Sequence, residues 1–426
     1  MADKQYVYAV ARIRSKRIVP AIRCIFRAAD GCKDYDECIQ LLMEKGWGED
    51  GMTNAADILA IEKRKTWELI NELVEDMSVF DVFLYANDYH NLKAAIKEVR
   101  MGDEYPGIFM EQGTVDVKLI REAVQTREFQ NLPAAMRTPA EEAYKALLHT
   151  QDGQLCDIII DKAALDAICA AGKSSGNEFL ELYAELTVAA ADIKTAVRAS
   201  RTGKDRAFLE QALAPCGSIN VARLAQAAIE GVDSIGSYLE TTAYADAVEE
   251  LRRSPSAFER WCDNLLIRKI KPQQYSAFGL GPLAAYILAR ENEIKSVRIV
   301  LSGKLNHLPE ESIRERIRRC MYKIAVMGDR DSIYGFASLG LEPFPLTDPA
   351  EAGKKVKDLA ESGYAVIYIT EALAAQIEPE INRYREAGLP AIILIPGISG
   401  NTGKGILAVK KSVEQAVGSD IIFNGQ

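Results

Sequence analysis

Along residues 1 to about 320, apolar positions recur at three- and four-residue spacing amid Ala, Leu, Glu, Lys and Arg. That period predicts helices, with 141–149, 178–200, 220–230 and 243–253 among the clearest. After Met321 the pattern changes. Short apolar runs at 322–327 (YKIAVM), 342–346, 364–369 (YAVIYI) and 391–395 (AIILI) alternate with helical stretches at 371–387 and 405–417. Buried runs of five or six residues between helices predict a parallel α/β sheet. Gly388 and Pro390 punctuate one boundary, and Pro396-Gly397 the next. Two units follow: an all-α part, 1–320, and a small α/β part, 321–426. No Gly/Ser- or Pro-rich linker separates them, and the helical stretch 310–319 runs almost into the strand, so the expected tether is short.

The helical part repeats itself. Asn91-Leu92-Lys93, Asp192-Ile193-Lys194 and Glu293-Ile294-Lys295 open three similar words, with the apolar anchors 92, 193 and 294 spaced by 101 residues each time. A second basic residue follows in each word (Lys97, Arg198, Arg298), and Gly102, Gly203 or Gly303 closes it. Glycine is the usual left-handed stop past a helix C-terminus. The pattern predicts three modules, about 1–105, 106–207 and 208–320, suited to a pseudo-threefold arrangement with the three glycines in equivalent places. Lys93, Lys194 and Lys295 are candidate partner contacts, weighed against local pairing such as Glu291–Lys295 at four-residue spacing.

Composition narrows the function. The chain has 426 residues, 48% apolar and 27% charged, enough to bury cores. A net charge of −9 disfavours nucleic-acid binding, which needs a cationic face. No run approaches the roughly 18 apolar residues of a membrane span, and the basic, interrupted N-terminal segment is unlike a signal peptide. A cytoplasmic chain, at most peripheral to a membrane, is expected. The eight cysteines include no Cys-x-x-Cys pair, and with three histidines they form no zinc pattern, so they read as reduced, packed thiols.

Several motifs invite an enzyme or signalling reading. Gly279-Leu280-Gly281-Pro282-Leu283-Ala284 fits a dinucleotide fingerprint, but helical sequence surrounds it where a strand must precede. The loop Gly397–Gly405 follows a strand and precedes a helix, as a phosphate loop does. Five residues separate Gly397 from Gly403 instead of four, and Gly405 stands where the metal-holding hydroxyl belongs. It reads instead as a mobile loop releasing the last helix. Asp329 and Asp331 follow the first strand as receiver acids do, yet Thr370-Glu371 stands where a receiver needs its phosphate-accepting Asp; the plain reading of the two acids is helix capping. His90 and His307 read as structural.

The words NDYHNLK (87–93), LP (132–133), CDIIIDKAALDAI (156–168) and PLAAYILARENEIKSVRIVLSGKLNHL (282–308) resemble the C subunit of the V/A-type rotary ATPases, over residues 1 to about 320. The words IAVMGDRDSIYGFASLGLE (324–342), YAVIYITEALA (364–374), PAIILIPG (390–397) and GILAVKKSVEQAVG (405–418) resemble the F subunit of the same machine, over the rest. These subunits are normally separate chains, so the resemblance is to a C–F fusion. It implies an all-α funnel of three pseudo-repeated modules followed by a receiver-like α/β domain with a C-terminal helix. It implies no catalysis, no cofactor and no metal. The implied partners are the stalk's D subunit, the membrane rotor ring subunit and, through the C-terminal helix, the A/B catalytic head, all at the cytoplasmic face. Lys410, Lys411, Ile421 and Phe423 are the contact candidates in the tail. The alternative reading is a nucleotide-binding or receiver-like signalling protein using the α/β part.

Overall fold

The computed structural model describes residues 6–15, 34–49, 51–102, 107–150, 153–270, 272–273, 276, 279–317, 323–337, 341–361, 364–384 and 390–407. The chain forms two compact units. One comprises residues 1–18 and 54–319, the other residues 19–53 and 320–426.

In the larger unit, α1 (Val7–Ser15) precedes a helix that the smaller unit contributes, α2 (Tyr35–Glu44). Then come α3 (Ala55–Leu73), a 3-10 segment Met77–Phe83, α4 (Tyr85–Met101), α5 (Val117–Thr126), α6 (Ala134–Thr150) and α7 (Gly153–Ser174). The central helices are α8 (Glu178–Arg201), α9 (Arg206–Ala212), α10 (Val221–Glu230) and α11 (Val232–Leu239). The last are α12 (Val248–Arg253), α13 (Pro255–Ile270), α14 (Gly281–Leu305) and α15 (Glu310–Arg316). Side-chain caps set many starts. Asn54, Asp116, Asn177, Asp205 and Asn220 each accept from a backbone N–H in the first turn of the helix that follows.

Pro139 lies inside α6 and leaves the Ala135 carbonyl without its helical donor. The hydroxyl of Tyr89 in α4 supplies one at 3.2 Å, so the proline is compensated across a helix–helix contact. The cores form where the periodicity places them. Leu92 and Ile96 of α4 pack with Ile120, Val124, Leu132, Met136 and Ile160. Ile193 and Val197 of α8 pack with Leu209, Leu224, Ile235, Leu239 and Phe258. The first half of α14 is buried all round, as a helix inside a core is, and α14 packs on α3.

Two expectations are corrected here. The segment 243–253 is α-helical only from Val248, after a 3-10 turn at Ala245–Ala247. Buried Tyr244 exchanges a hydrogen bond with Ser218 Oγ at 2.7 Å, which fixes the preceding turn instead. Gly102 (φ 72°) and Gly203 (φ 65°) close their helices in the left-handed region, but Gly303 lies inside α14. That helix stops later, at His307 (φ 52°), where Leu308 N–H donates to Gly303 O at 2.9 Å. Gly303 instead makes room for Ile313 of α15, whose Cγ1 would lie 2.6 Å from an added Cβ. The three glycines therefore do not share one role.

In the smaller unit, β1 (Lys323–Gly328), α16 (Arg330–Ile333), β2 (Glu342–Pro345), α17 (Pro349–Glu361), β3 (Tyr364–Thr370), α18 (Glu371–Ala374), α19 (Glu378–Asn382) and β4 (Ala391–Ile395) follow in order. The sheet is parallel throughout, in the order β2-β1-β3-β4, with Val326 opposite Tyr368 and Tyr368 opposite Ile393. Its strands lie within a residue of the expected runs. The single helix expected over 371–387 is two short ones, because the chain turns at Ile377 and Pro379 starts a new helix. Of the helix expected at 405–417, residues 404–407 are helical and the rest lies outside the described residues.

Gly172 of α7 faces α8 so closely that an added Cβ would overlap the Ala184 methyl and lie 3.2 Å from Leu180 O. Gly172→Ala is expected to cost about 1–3 kcal/mol, read as a lower denaturation midpoint of the helical unit.

Candidate functional site

The three repeated words fall on α4, α8 and α14, and their lysines differ in setting. Lys93 pairs with Asp161 and Lys97 with Asp157, both at 2.6 Å and both to α7. Lys295 lies 3.9 Å from Asp263. Lys194 has no ion pair within 4.0 Å among the described residues, but acts electrostatically on the Cys262 thiol. So Lys93 is a helix–helix tie, whereas Lys194 and Lys295 come together in one place.

That place is a cleft of about 210 Å³ between α8, α13 and α14. Its walls are apolar, with Phe258, Trp261 and Leu288, and its charges are Lys194, Lys295, Asp263 and Glu291. Burial pushes the Glu291 carboxyl up, while Lys295 and Lys63 of α3 pull it back. Burial lowers Lys63, and the neighbouring Arg298 and Lys295 add to that. The Cys262 thiol lines the cleft too, and desolvation pushes it up to about 12, so it is a poor nucleophile. The cleft brings Lys194, Lys295 and Asp263 together over an apolar floor.

Each word also carries a residue that the sequence reading passed over. Asn91, Asp192 and Glu293, one position before each apolar anchor, are all buried. Asn91 clamps the next connection twice, its Nδ2 donating to Met110 O at 2.9 Å and its Oδ1 accepting from Met110 N–H at 2.8 Å. Asp192 Oδ1 accepts from Ala214 N–H at 3.0 Å. Glu293 accepts from Arg290 at 2.6 Å, and Arg290 reaches Glu62 of α3 at 2.6 Å. The signal that would have found them is the same 101-residue spacing, applied to a polar residue inside an apolar stripe. Nearby carboxylates reinforce the clamps. Asp88 takes Thr114 N–H, Thr114 Oγ1–H and Val115 N–H. Glu185 takes Gly217 N–H, Ser218 N–H and Ser218 Oγ–H.

In the smaller unit, the Gly397–Gly405 loop is tied down, which corrects the expectation of a mobile loop. Glu371, buried at the end of β3, accepts from Thr402 N–H at 2.6 Å, Thr402 Oγ1 at 2.7 Å and Gly405 N–H at 2.8 Å. These donors, of which the Gly405 amide is the first, hold its carboxyl below the usual range. Ile398 N–H donates to Ser332 Oγ at 2.8 Å. Two amides that a phosphate would need are thus already given to a carboxylate. Asp329 caps α16 through Ser332 N–H at 2.9 Å. Among the described residues no His, Cys, Asp and Glu cluster fit for a metal occurs. Gly279 and Leu280 precede α14 and residues 281–284 form its first turn, with the helix α13 and, among the described residues, no strand before them, so the segment is not a dinucleotide fold. His90 Nε2 donates to Ile108 O, 2.9 Å away. Lys410, Lys411, Ile421 and Phe423 lie outside the described residues.

Residues 23–316 match the model of the ATP synthase (C/AC39) subunit family, and residues 324–413 match that of the ATP synthase (F/14-kDa) family. The chain belongs to the C and F subunit families of the V/A-type ATPases, joined in tandem. A V-type ATP synthase F subunit of Clostridium perfringens is 46% identical over 103 residues, which are 24% of this chain and 98% of that protein. The C subunit of the V-type sodium ATPase of Enterococcus hirae is 23% identical over 297 residues, 68% of this chain and 90% of that one. A V-type ATP synthase C subunit of Thermus thermophilus is 23% identical over 330 residues, 74% of this chain and 99% of that one. Among the described residues no helix is long and apolar enough to cross a membrane.

Arg290→Met removes the guanidinium that joins buried Glu62 and Glu293, although Lys65 still pairs with Glu62 at 2.8 Å, and is expected to cost about 3 kcal/mol in denaturant unfolding. Glu371→Ala removes the acceptor of three hydrogen bonds. It is expected to raise hydrogen exchange at Thr402 and Gly405 by at least about tenfold, while the strands keep their protection.

Proposed function

We propose that this chain is a non-catalytic central-stalk component of a V/A-type ATPase. In this reading the C-like part, residues 1–320, seats the stalk on the membrane rotor ring. The F-like part, residues 321–426, binds the stalk's D subunit, and its C-terminal segment reaches the A/B head. Ion translocation and ATP turnover on other subunits are coupled through it, at the cytoplasmic face of the membrane. The observation that carries this is the tandem match to two neighbours of one machine within a single chain. The geometry supports it. A torque coupler needs stiffness, and the helical unit ties its long helices to the following connections, and α14 to α3, with buried hydrogen bonds and ion pairs. The nucleotide and receiver alternatives lose support, since Glu371 and Asp329 are spent on the loop and the helix cap.

Tagged full-length chain, recovered from gently solubilised membranes, is expected to bring down the stalk's D subunit, the ring subunit and the A and B subunits. A folded chain that brings down none of them overturns the reading. The substitution Lys194→Glu is expected to weaken recovery of the stalk by about tenfold or more while leaving the fold intact, because Lys194 lines the cleft without an ion pair within 4.0 Å among the described residues.

A further inference from the structure

Asp192 is fully buried in α8, and only one of its oxygens is used. Oδ1 accepts from Ala214 N–H, while Oδ2 is buried and has no hydrogen-bond partner. Other buried carboxylates of the unit differ. Asp88 and Glu185 each accept three hydrogen bonds, and Glu293 and Glu62 share Arg290. Asp157 Oδ1 and Glu250 Oε2 also lack a hydrogen bond of good geometry, but each has a cation close by, Lys97 at 2.6 Å and Arg260 at 3.5 Å. Among the described residues no cation pairs with Asp192 within 4.0 Å.

The ionisable groups acting on Asp192 are Lys162 and Asp166 of α7, Glu185 of its own helix, and Cys216 in the connection after α9. Lys162 turns its amine to Glu210 O, 3.1 Å away. Asp166 and Glu185 add negative potential. The repeat supplies a comparison. At the position 101 residues earlier Asn91 does the same job with a neutral amide, and it satisfies both of its polar atoms. A buried neutral group with one unused atom costs far less than a buried unpaired charge.

We propose that Asp192 is a proton-binding site: in mildly acidic solution the folded chain carries it as the neutral acid, with the proton on Oδ2, standing in for the amide that Asn91 provides in the preceding repeat. Desolvation raises the carboxyl to about 7, ahead of the opposing Ala214 hydrogen bond. When the connection opens and Asp192 is hydrated, its affinity for the proton falls to the ordinary carboxylate value. The folded state then holds the extra proton between that value and about pH 7. Opening becomes easier as pH rises through this window and levels off above it.

Backbone hydrogen exchange of the full chain over residues 205–219 tests this, with wild type and Asp192→Asn compared at each pH so that the intrinsic rate cancels. The opening constant of wild type relative to Asp192→Asn is expected to rise about tenfold between pH 6 and pH 8. A ratio that stays flat overturns the proposal, and is what an ionised Asp192 satisfied by a bound water gives. Should Asp192→Asn fail to fold, Asn91→Asp carries the test over residues 107–116. Exchange there relative to wild type must climb with pH across the same range, and a flat ratio overturns the proposal equally.

Discussion

The helical unit depends on buried polar positions that hold α4 and α8 to the connections after them and α14 to α3. A helix of four to seven turns buries one apolar stripe and leaves the next segment free to slide along it, because dispersion contacts have little directional preference. A hydrogen bond inside that stripe removes the freedom, since leaving it unmade strands a buried polar group. Asn91 fixes the chain at Met110, and Asp192 fixes it at Ala214. In the third repeat the buried acid is linked through Arg290 to Glu62, so the last long helix is keyed to α3. Replacing an amide by a carboxylate and then by an ion pair keeps the place of the clamp while changing its chemistry and its partner.

The smaller unit applies the same constraint to an inherited shape. A parallel sheet with a glycine-rich turn after a strand is where α/β folds receive phosphates. Here Glu371 supplies the negative charge from within and orders the turn. Ser332 and Asp329 hold its other end, Ser332 by accepting from Ile398 and Asp329 by capping the helix that carries Ser332. The result is a stiff edge where a ligand site would stand. Stiffness of this kind suits a part that transmits load more than one that turns over substrate.

Much of this was legible in the sequence, and the failures have local causes. β1, β3 and β4 were readable because each carries a short continuous apolar run, at 324–327, 364–369 and 391–395, the pattern of a parallel sheet. The 101-residue spacing located α4, α8 and α14. What could not be read was where a tertiary contact overrode a local preference. Tyr244 gives up helix to reach Ser218, and Pro379 begins a helix where periodicity ran through. Gly303 looks like a stop, yet it is small because Ile313 presses on it. The lysines of the repeat were noticed for their charge, and only Lys194 and Lys295 meet in one cleft. The clamps were in the same three words, one residue away, but a polar residue in an apolar stripe reads as noise until its partner 19 or 22 residues on is known.

The differences between the repeats carry information that their likeness does not. Three copies free to drift would be expected to converge on whichever clamp costs least, and an amide that satisfies itself fully, as Asn91 does, costs least. The middle copy instead holds an acid with a spare oxygen, and the third holds a charge that must be answered from α3. An ion pair between distant segments adds what an amide cannot, because it fails if either segment moves. That makes the α14–α3 contact all-or-none. The acid at 192 adds sensitivity to the proton, since one oxygen is left for it to occupy. The first repeat therefore closes its clamp with a neutral amide, the third with an ion pair, and the second with an acid that can take up a proton.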